Sequence, residues 1–173
     1  GIHVLRLGHP ARVTDEVVNS TLDARLSEHN DAKLLRDLRR KSEEMKNTGL
    51  KHKRNFGQSE RQQRRLLLQE AKEIKEEAIA LENYMIRDEI DKASVIACTL
   101  VGANSQYLYN RTFKTLFIDE ASQALEPAAW IPIMKVERVI MAGDHFQLPP
   151  TIKSVKAARD GLSETIFERC IQK

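Results

Sequence analysis

Two stretches of the sequence hold side chains that could bind a metal ion and move a proton. The first is Asp119–Glu120, directly after the apolar run Leu116, Phe117, Ile118. A carboxylate at the tip of a buried strand suits Mg²⁺, which takes oxygen ligands and keeps several waters. A second carboxylate beside it can accept a proton from an attacking water. The other stretch is Gly143-Asp144-His145-Phe146-Gln147-Leu148-Pro149-Pro150. Its glycine allows a tight exit from a strand, and its prolines stiffen the chain beyond. The Gln147 amide could donate to a phosphate oxygen or orient a water. Each stretch also has a plainer reading, with Asp119 as a helix N-cap and Gln147 as an exposed loop amide. Asp-Glu and Asp-x-x-Gln at two strand ends together argue for a shared site.

Such a site needs strands to carry it. Residues 3–7, 94–99, 115–118 and 138–142 are short apolar runs without clean two-residue alternation, as expected of parallel strands buried on both faces. In open α/β sheets ligands bind beyond the carboxyl ends of the strands, which adds Thr99 and the adjoining Leu100, Val101 and Gly102 to the candidates. Residues 123–134 suit a helical crossover interrupted by Pro127 and Pro132. Residues 154–171 read as a helix, with Ala158, Leu162, Ile166 and Cys170 at four-residue spacing. The reading is an open, incomplete parallel α/β sheet.

The middle of the chain has a different texture. From Val17 to Lys92 there is no proline, and glycine occurs only at Gly49 and Gly57. Leu67, Ala71, Ile74, Ala78, Leu81 and Met85 follow the 4-3 spacing of a coiled-coil seam. Leu35, Leu38, Ser42 and Met45 offer a weaker matching stripe. Residues 47–59 read as the turn of an antiparallel helical hairpin. The organisation expected is a sheet domain from residues 1–16 and 93–173, with residues 17–92 inserted as the hairpin. Residues 33–65 carry twelve basic and four acidic side chains, and residues 66–92 carry four and eight. Lys51, Lys53 and Arg54 near the turn could therefore meet nucleic-acid phosphates, a contact read out as salt dependence. A solvated helical face is the rival reading.

With 173 residues, 41% of them hydrophobic, the chain can fill a core, which excludes intrinsic disorder and collagen-like structure. No apolar run approaches the roughly 18 residues of a membrane span, so no membrane partner is expected. Cys98 and Cys170 are expected as buried thiols in a reducing compartment, cytoplasmic or nuclear. Trp130 is expected in the core, and His145 as a solvated or packing side chain.

The segment Ile118-Asp119-Glu120-Ala121-Ser122-Gln123-Ala124-Leu125-Glu126, followed by Ala142-Gly143-Asp144-His145-Phe146-Gln147-Leu148-Pro149-Pro150, resembles motifs II and III of superfamily 1 helicases. The pattern is most like the group of the nonsense-mediated-decay and immunoglobulin mu-binding-protein helicases. Leu5-Arg6-Leu7-Gly8-His9-Pro10-Ala11-Arg12, Ala97-Cys98-Thr99-Leu100-Val101-Gly102-Ala103 and Lys156-Ala157-Ala158-Arg159-Asp160-Gly161-Leu162-Ser163 extend the likeness.

The resemblance implies a partial RecA-like fold using ATP and Mg²⁺. Asp119 would hold the metal, Glu120 would be the general base, and Gln147 would sense the γ-phosphate with Asp144 supporting its loop. Thr99 would touch the nucleic-acid backbone, on single-stranded DNA or RNA. Arg6, His9 and Arg12 receive no catalytic role. Nothing fits the phosphate-cradling G-x-x-x-x-G-K-[ST] loop. The expectation is therefore a fragment of an ATP-dependent helicase, partnered by the rest of its chain, inactive alone and binding MgATP weakly or not at all. Its open sheet edge could also pair with a second copy. Two rival readings remain: a non-catalytic nucleic-acid-binding or interaction module built on the basic hairpin, and another Mg²⁺-dependent nucleotide hydrolase.

Overall fold

The computed structural model describes residues 1–8, 14–50, 57–144, 146 and 149–171. They form two compact units, Gly1–Ala97 and Cys98–Lys173. In the first, β1 (Val4–Arg6) pairs in parallel with β2 (Val95–Ala97), setting Val4 opposite Val95 and Arg6 opposite Ala97. Leu5 between them is fully buried. Thr21 is bridged to Arg6 and starts α1 (Leu22–Glu28). Its hydroxyl accepts the Ala24 N–H at 3.3 Å and donates to the Val18 carbonyl at 2.7 Å. Such a cap contributes about 1 kcal/mol.

Helices α2 (Ala32–Leu50) and α3 (Gln58–Lys92) pack antiparallel, with Gly49 against Leu68, Ser42 against Ala71 and Arg39 against Glu82. The coiled-coil spacing marks the seam as expected. Ala71, Ile74, Ala78 and Met85 are buried, while Leu67 and Leu81 are half-buried. On α2, Leu35 and Ser42 are buried. Ser42 sits there at little cost because its hydroxyl donates to the Ala71 carbonyl at 2.7 Å. Ala32, Leu35, Ala78 and Met85 form the hairpin core, with Leu26, Leu38 and Leu81 packed on it. Each large side chain buried there contributes about 1.5–3 kcal/mol.

The turn expected at residues 47–59 is shorter at both ends. Helix α2 continues to Leu50 and α3 has begun by Gln58. Packing carries α2 through residues of poor helix propensity. Thr48 satisfies its hydroxyl on the Glu44 carbonyl at 2.8 Å, and a Cβ on Gly49 would stand 3.0 Å from Leu68. At the start of α3, the Glu60 carboxylate accepts the Gly57 N–H at 2.9 Å. Residues 51–56, with Lys51, Lys53 and Arg54, lie outside the described residues.

In the second unit β3 (Phe113–Ile118) pairs in parallel with β4 (Val136–Met141), Phe117 opposite Ile140 and Ile118 opposite Met141. Leu116, Ile118, Val139 and Met141 share a core with Ala121, Ala129 and Phe167. Phe117 and Ile140 are exposed, so within its own unit this pair of strands buries one face rather than two. The crossover expected between the strands is α4 (Glu126–Ile133). Pro127 is tolerated in its first turn, and Pro132, lacking an N–H, stands at its end.

The single helix expected over residues 154–171 is interrupted. A short α5 (Val155–Ala157) passes into a wide turn over Ala158–Leu162, where Gly161 takes φ 104°. That backbone conformation suits glycine and stops the helix. Thr165 and Glu168 then start α6 (Ile166–Ile171) with a reciprocal cap. The Thr165 hydroxyl accepts the Glu168 N–H at 3.1 Å, and the Glu168 carboxylate accepts the Thr165 N–H at 2.9 Å. The four strands thus lie at the expected places in the sequence, but they form two short two-stranded parallel sheets where one open sheet was expected, in an α/β chain with an antiparallel helical hairpin between β1 and β2.

Candidate functional site

Parallel pairing brings the ends of β3 and β4 together. The ladder runs one step past the strands, where the Ala142 N–H donates to the Ile118 carbonyl at 2.9 Å and the Ala121 N–H to the Ala142 carbonyl at 2.8 Å. Asp119 and Glu120 are the two residues spanned by that pair of bonds, and Gly143–Asp144 comes at once on the other strand. Gly143 lies so close that a Cβ there would stand 3.0 Å from the Ser122 nitrogen and 3.1 Å from that of Ala121. Both neighbours are backbone, which cannot move aside as a side chain can. A methyl group at position 143 would require that backbone to give by a few tenths of an ångström.

Asp119 and Glu120 are both exposed. Asp119 Oδ1 accepts the N–H of its neighbour Glu120 at 3.0 Å. It therefore does not cap the short helical turn beyond it, whose first residue is preceded by Glu120. Glu120 adopts φ 52°, a left-handed conformation that costs a non-glycine residue about 1–2 kcal/mol. Strain of this kind gathers at functional sites. The Glu120 carboxylate accepts from the Gln123 amide at 3.4 Å. Two water-exposed carboxylates at a strand end are a donor set that fits Mg²⁺, with Asp119 Oδ2 the oxygen left to reach it.

Asp144 is exposed, and its Oδ1 accepts the Phe146 N–H at 2.9 Å, which fixes the start of its loop. Gln147 and His145 lie outside the described residues. Thr99 is exposed and closes a tight turn, its hydroxyl oxygen accepting the Gly102 N–H at 3.0 Å. The structure thus brings Asp119, Glu120 and Asp144 together at one sheet end.

Other expectations are corrected. Trp130 is not in the core: it is 43% exposed, held by its indole N–H on Glu126 Oε1 at 3.1 Å. Trp130 lies on the solvent side of a short helix whose buried residues are Ala129 and Pro132. Cys98 and Cys170 are free but exposed rather than buried, Cys170 because the break at Gly161 takes it off the expected apolar stripe. On the hairpin, several basic side chains are occupied by neighbouring acids. Arg39 meets Glu82 at 2.6 Å, Arg40 meets Asp37 at 3.1 Å and Lys46 meets Glu43 at 3.5 Å. Arg61 and Arg65 are exposed near the start of α3.

One polar cluster carries no clear signal in the sequence. His29, whose side chain is 5% exposed, lies with Nε2 3.0 Å from Asp88 Oδ2, and its Nδ1 accepts the Asp31 N–H at 3.1 Å. That acceptor role puts the neutral ring's proton on Nε2, facing Asp88. Glu89 completes a group of three possible metal ligands within 4.8 Å. The position is already served by a cation, since Lys92 bonds Asp88 and stands 3.8 Å from Glu89. Lys92, and then His29, hold the Asp88 carboxyl below its ordinary range, and Asp88 raises Lys92 in turn. The arrangement is an ion-pair network at the hairpin base. The i,i+4 spacing of Asp88 and Lys92 was legible in the sequence, but His29 comes from a distant turn.

A family model described as an AAA domain matches residues 1–155. The chain belongs to that family. It is 39% identical over 98% of its length to DNA-binding protein SMUBP-2 of Mus musculus. It is 34% identical over 89% of its length to DNA polymerase alpha-associated DNA helicase A of Schizosaccharomyces pombe, covering 22% of that protein. A shorter stretch, 47% of the chain, is 48% identical to ATP-dependent helicase NAM7 of Saccharomyces cerevisiae and covers 8% of it. Two of these relatives are named as helicases, in line with the superfamily 1 helicase group that the motifs resemble. The chain spans only 17% of the mouse protein's length.

Proposed function

We propose that this chain is the part of an ATP-dependent nucleic-acid helicase that carries the metal-binding and proton-accepting carboxylates of its first RecA-like motor domain. The observation that carries the reading is the locked pair of strand ends. Asp119–Glu120 and Gly143–Asp144 are held together by the Ala142 backbone, with Gly143 in close contact with the Ala121 and Ser122 backbone. The family membership and the names of the helicase relatives support it.

In this reading residues 1–16 and 93–173 belong to the motor domain, and residues 17–92 are an inserted hairpin. Asp119 would hold the Mg²⁺ of MgATP, which supplies charge neutralisation on the phosphates when bound. Glu120 takes a proton from the attacking water. Its left-handed backbone fixes it at the turn between strand and helical segment. Gln147, which lies outside the described residues, would sense the γ-phosphate, with Asp144 supporting its loop. Thr99, together with Lys51, Lys53 and Arg54 of the sequence between α2 and α3, would meet the backbone of single-stranded DNA or RNA. The test is ATP hydrolysis by the full-length protein, with and without single-stranded DNA and RNA. Stimulated turnover is expected, and absence of any turnover with either strand overturns the reading.

A further inference from the structure

A shallow, open cleft in the second unit is lined by Glu126, Pro127 and Trp130 of α4, by Asp160, Gly161 and Leu162 of the wide turn, and by Glu164 just beyond that turn. Its indole is pinned. Trp130 donates to Glu126 Oε1, and Arg169 Nη1 grips both oxygens of that carboxylate at 2.9 and 2.8 Å. Arg169 neutralises Glu126, so the charge left around the cleft is that of Asp160 and Glu164, both exposed. Lys156 and Arg159, the nearest cations in sequence, do not line it.

We propose that this cleft receives an arginine side chain of a basic polypeptide partner. A fixed, partly exposed tryptophan is the best aromatic face for a cation, and a planar guanidinium stacks on it better than an ammonium does. The two carboxylates supply charge complementarity and hydrogen-bond acceptors. The same carboxylates repel phosphates, so a nucleic-acid base stacked on Trp130 would bring its backbone against two negative charges. The rim at Gly161 is open, since a Cβ built there would meet nothing within 4 Å. A rigid aromatic anchor bordered by polar groups is the usual composition of an interaction hot spot.

Trp130 is the only tryptophan in the chain, so its fluorescence reads the cleft directly. The probe is a capped peptide of alternating glycine and arginine, titrated into the 173-residue protein beside the same peptide with citrulline in place of arginine. The arginine peptide is expected to change the emission saturably, and the citrulline peptide to leave it unchanged. Replacing Asp160 with Asn and Glu164 with Gln, both surface changes, should weaken the arginine peptide about tenfold. Undiminished affinity in that double variant overturns the proposal. So does an equal response to the citrulline peptide, or saturation by oligothymidylate where the arginine peptide gives none.

Discussion

Met85 in the hairpin seam is completely buried, whereas Asp119, Glu120 and Asp144 at the strand ends of the second unit are all exposed. The hairpin is held by interdigitated apolar side chains, one satisfied buried hydroxyl and ion pairs across and along its helices. The strand-end loops are held by two backbone hydrogen bonds and a glycine contact, and they keep one residue in a strained conformation. One region has its side chains committed to stability. The other has its backbone committed to position and its carboxylates exposed to solvent. A functional site is thus expected to tolerate side-chain changes structurally and fail chemically, while the hairpin does the reverse.

The sharpest test of that contrast is Glu120→Gln in the full-length protein. The substitution keeps shape and removes the base, so turnover should fall about 10²- to 10⁴-fold with nucleotide binding preserved. Asp119→Asn should weaken Mg²⁺-dependent binding as well. Single-turnover hydrolysis beside nucleotide titration separates the two, and near-wild-type turnover in Glu120→Gln removes the assignment of the base.

Met85→Ala should do the opposite, costing about 2–5 kcal/mol of stability in urea unfolding through the cavity it leaves. A loss below half of the lower figure would mean that the seam collapses around the gap, and that the hairpin core is softer than its burial indicates.

Gly143→Ala probes the join between the two loops. Because the new methyl meets backbone, about 1–3 kcal/mol of destabilisation is expected, together with reduced ATP turnover. Unchanged melting and turnover would show the contact to be slack.

The hairpin base gives a smaller, pH-dependent effect. The Asp88 pKa is lowered, so the stability of its link to Lys92 and His29 is present above the ordinary aspartate value of 3.8 and lost as pH falls through the lowered one. The raised Lys92 contributes below its ordinary 10.5 and loses that contribution as pH climbs through the raised value. Urea midpoints of Asp88→Asn should therefore be lower than those of the unaltered protein near neutrality, and the gap should narrow in acid. A gap that stays constant down to about pH 2 would contradict the linkage.

The smallest change expected is in salt dependence. Replacing Lys51, Lys53 and Arg54 with Ala in the full-length protein should reduce the slope of log affinity against log salt by roughly 0.7 per lost phosphate contact. An identical slope would leave the hairpin as a structural spacer, a role to which the pairing of Arg39, Arg40 and Lys46 with nearby acids already inclines it.

Features set by local chemistry were legible in the sequence alone. The seam from Leu67 to Met85 came from its spacing, because a helix repeats its faces every three to four residues whatever surrounds it. The four strands came from short apolar runs bounded by small or polar residues, one of them followed by Asp119–Glu120, since parallel strands are largely apolar and their ends polar. The extent of α2 was not legible, because packing against Leu68 sustains a helix through Thr48 and Gly49 that propensity would end. Nor was the break in the last helix, where regular four-residue spacing runs across Gly161. His29 beside Asp88, the exposed Trp130 and the contact of Gly143 with Ser122 all join residues distant in sequence or depend on which side of an element faces solvent. Distances of that kind are decided when the chain closes on itself, because packing selects among contacts that composition and periodicity allow equally.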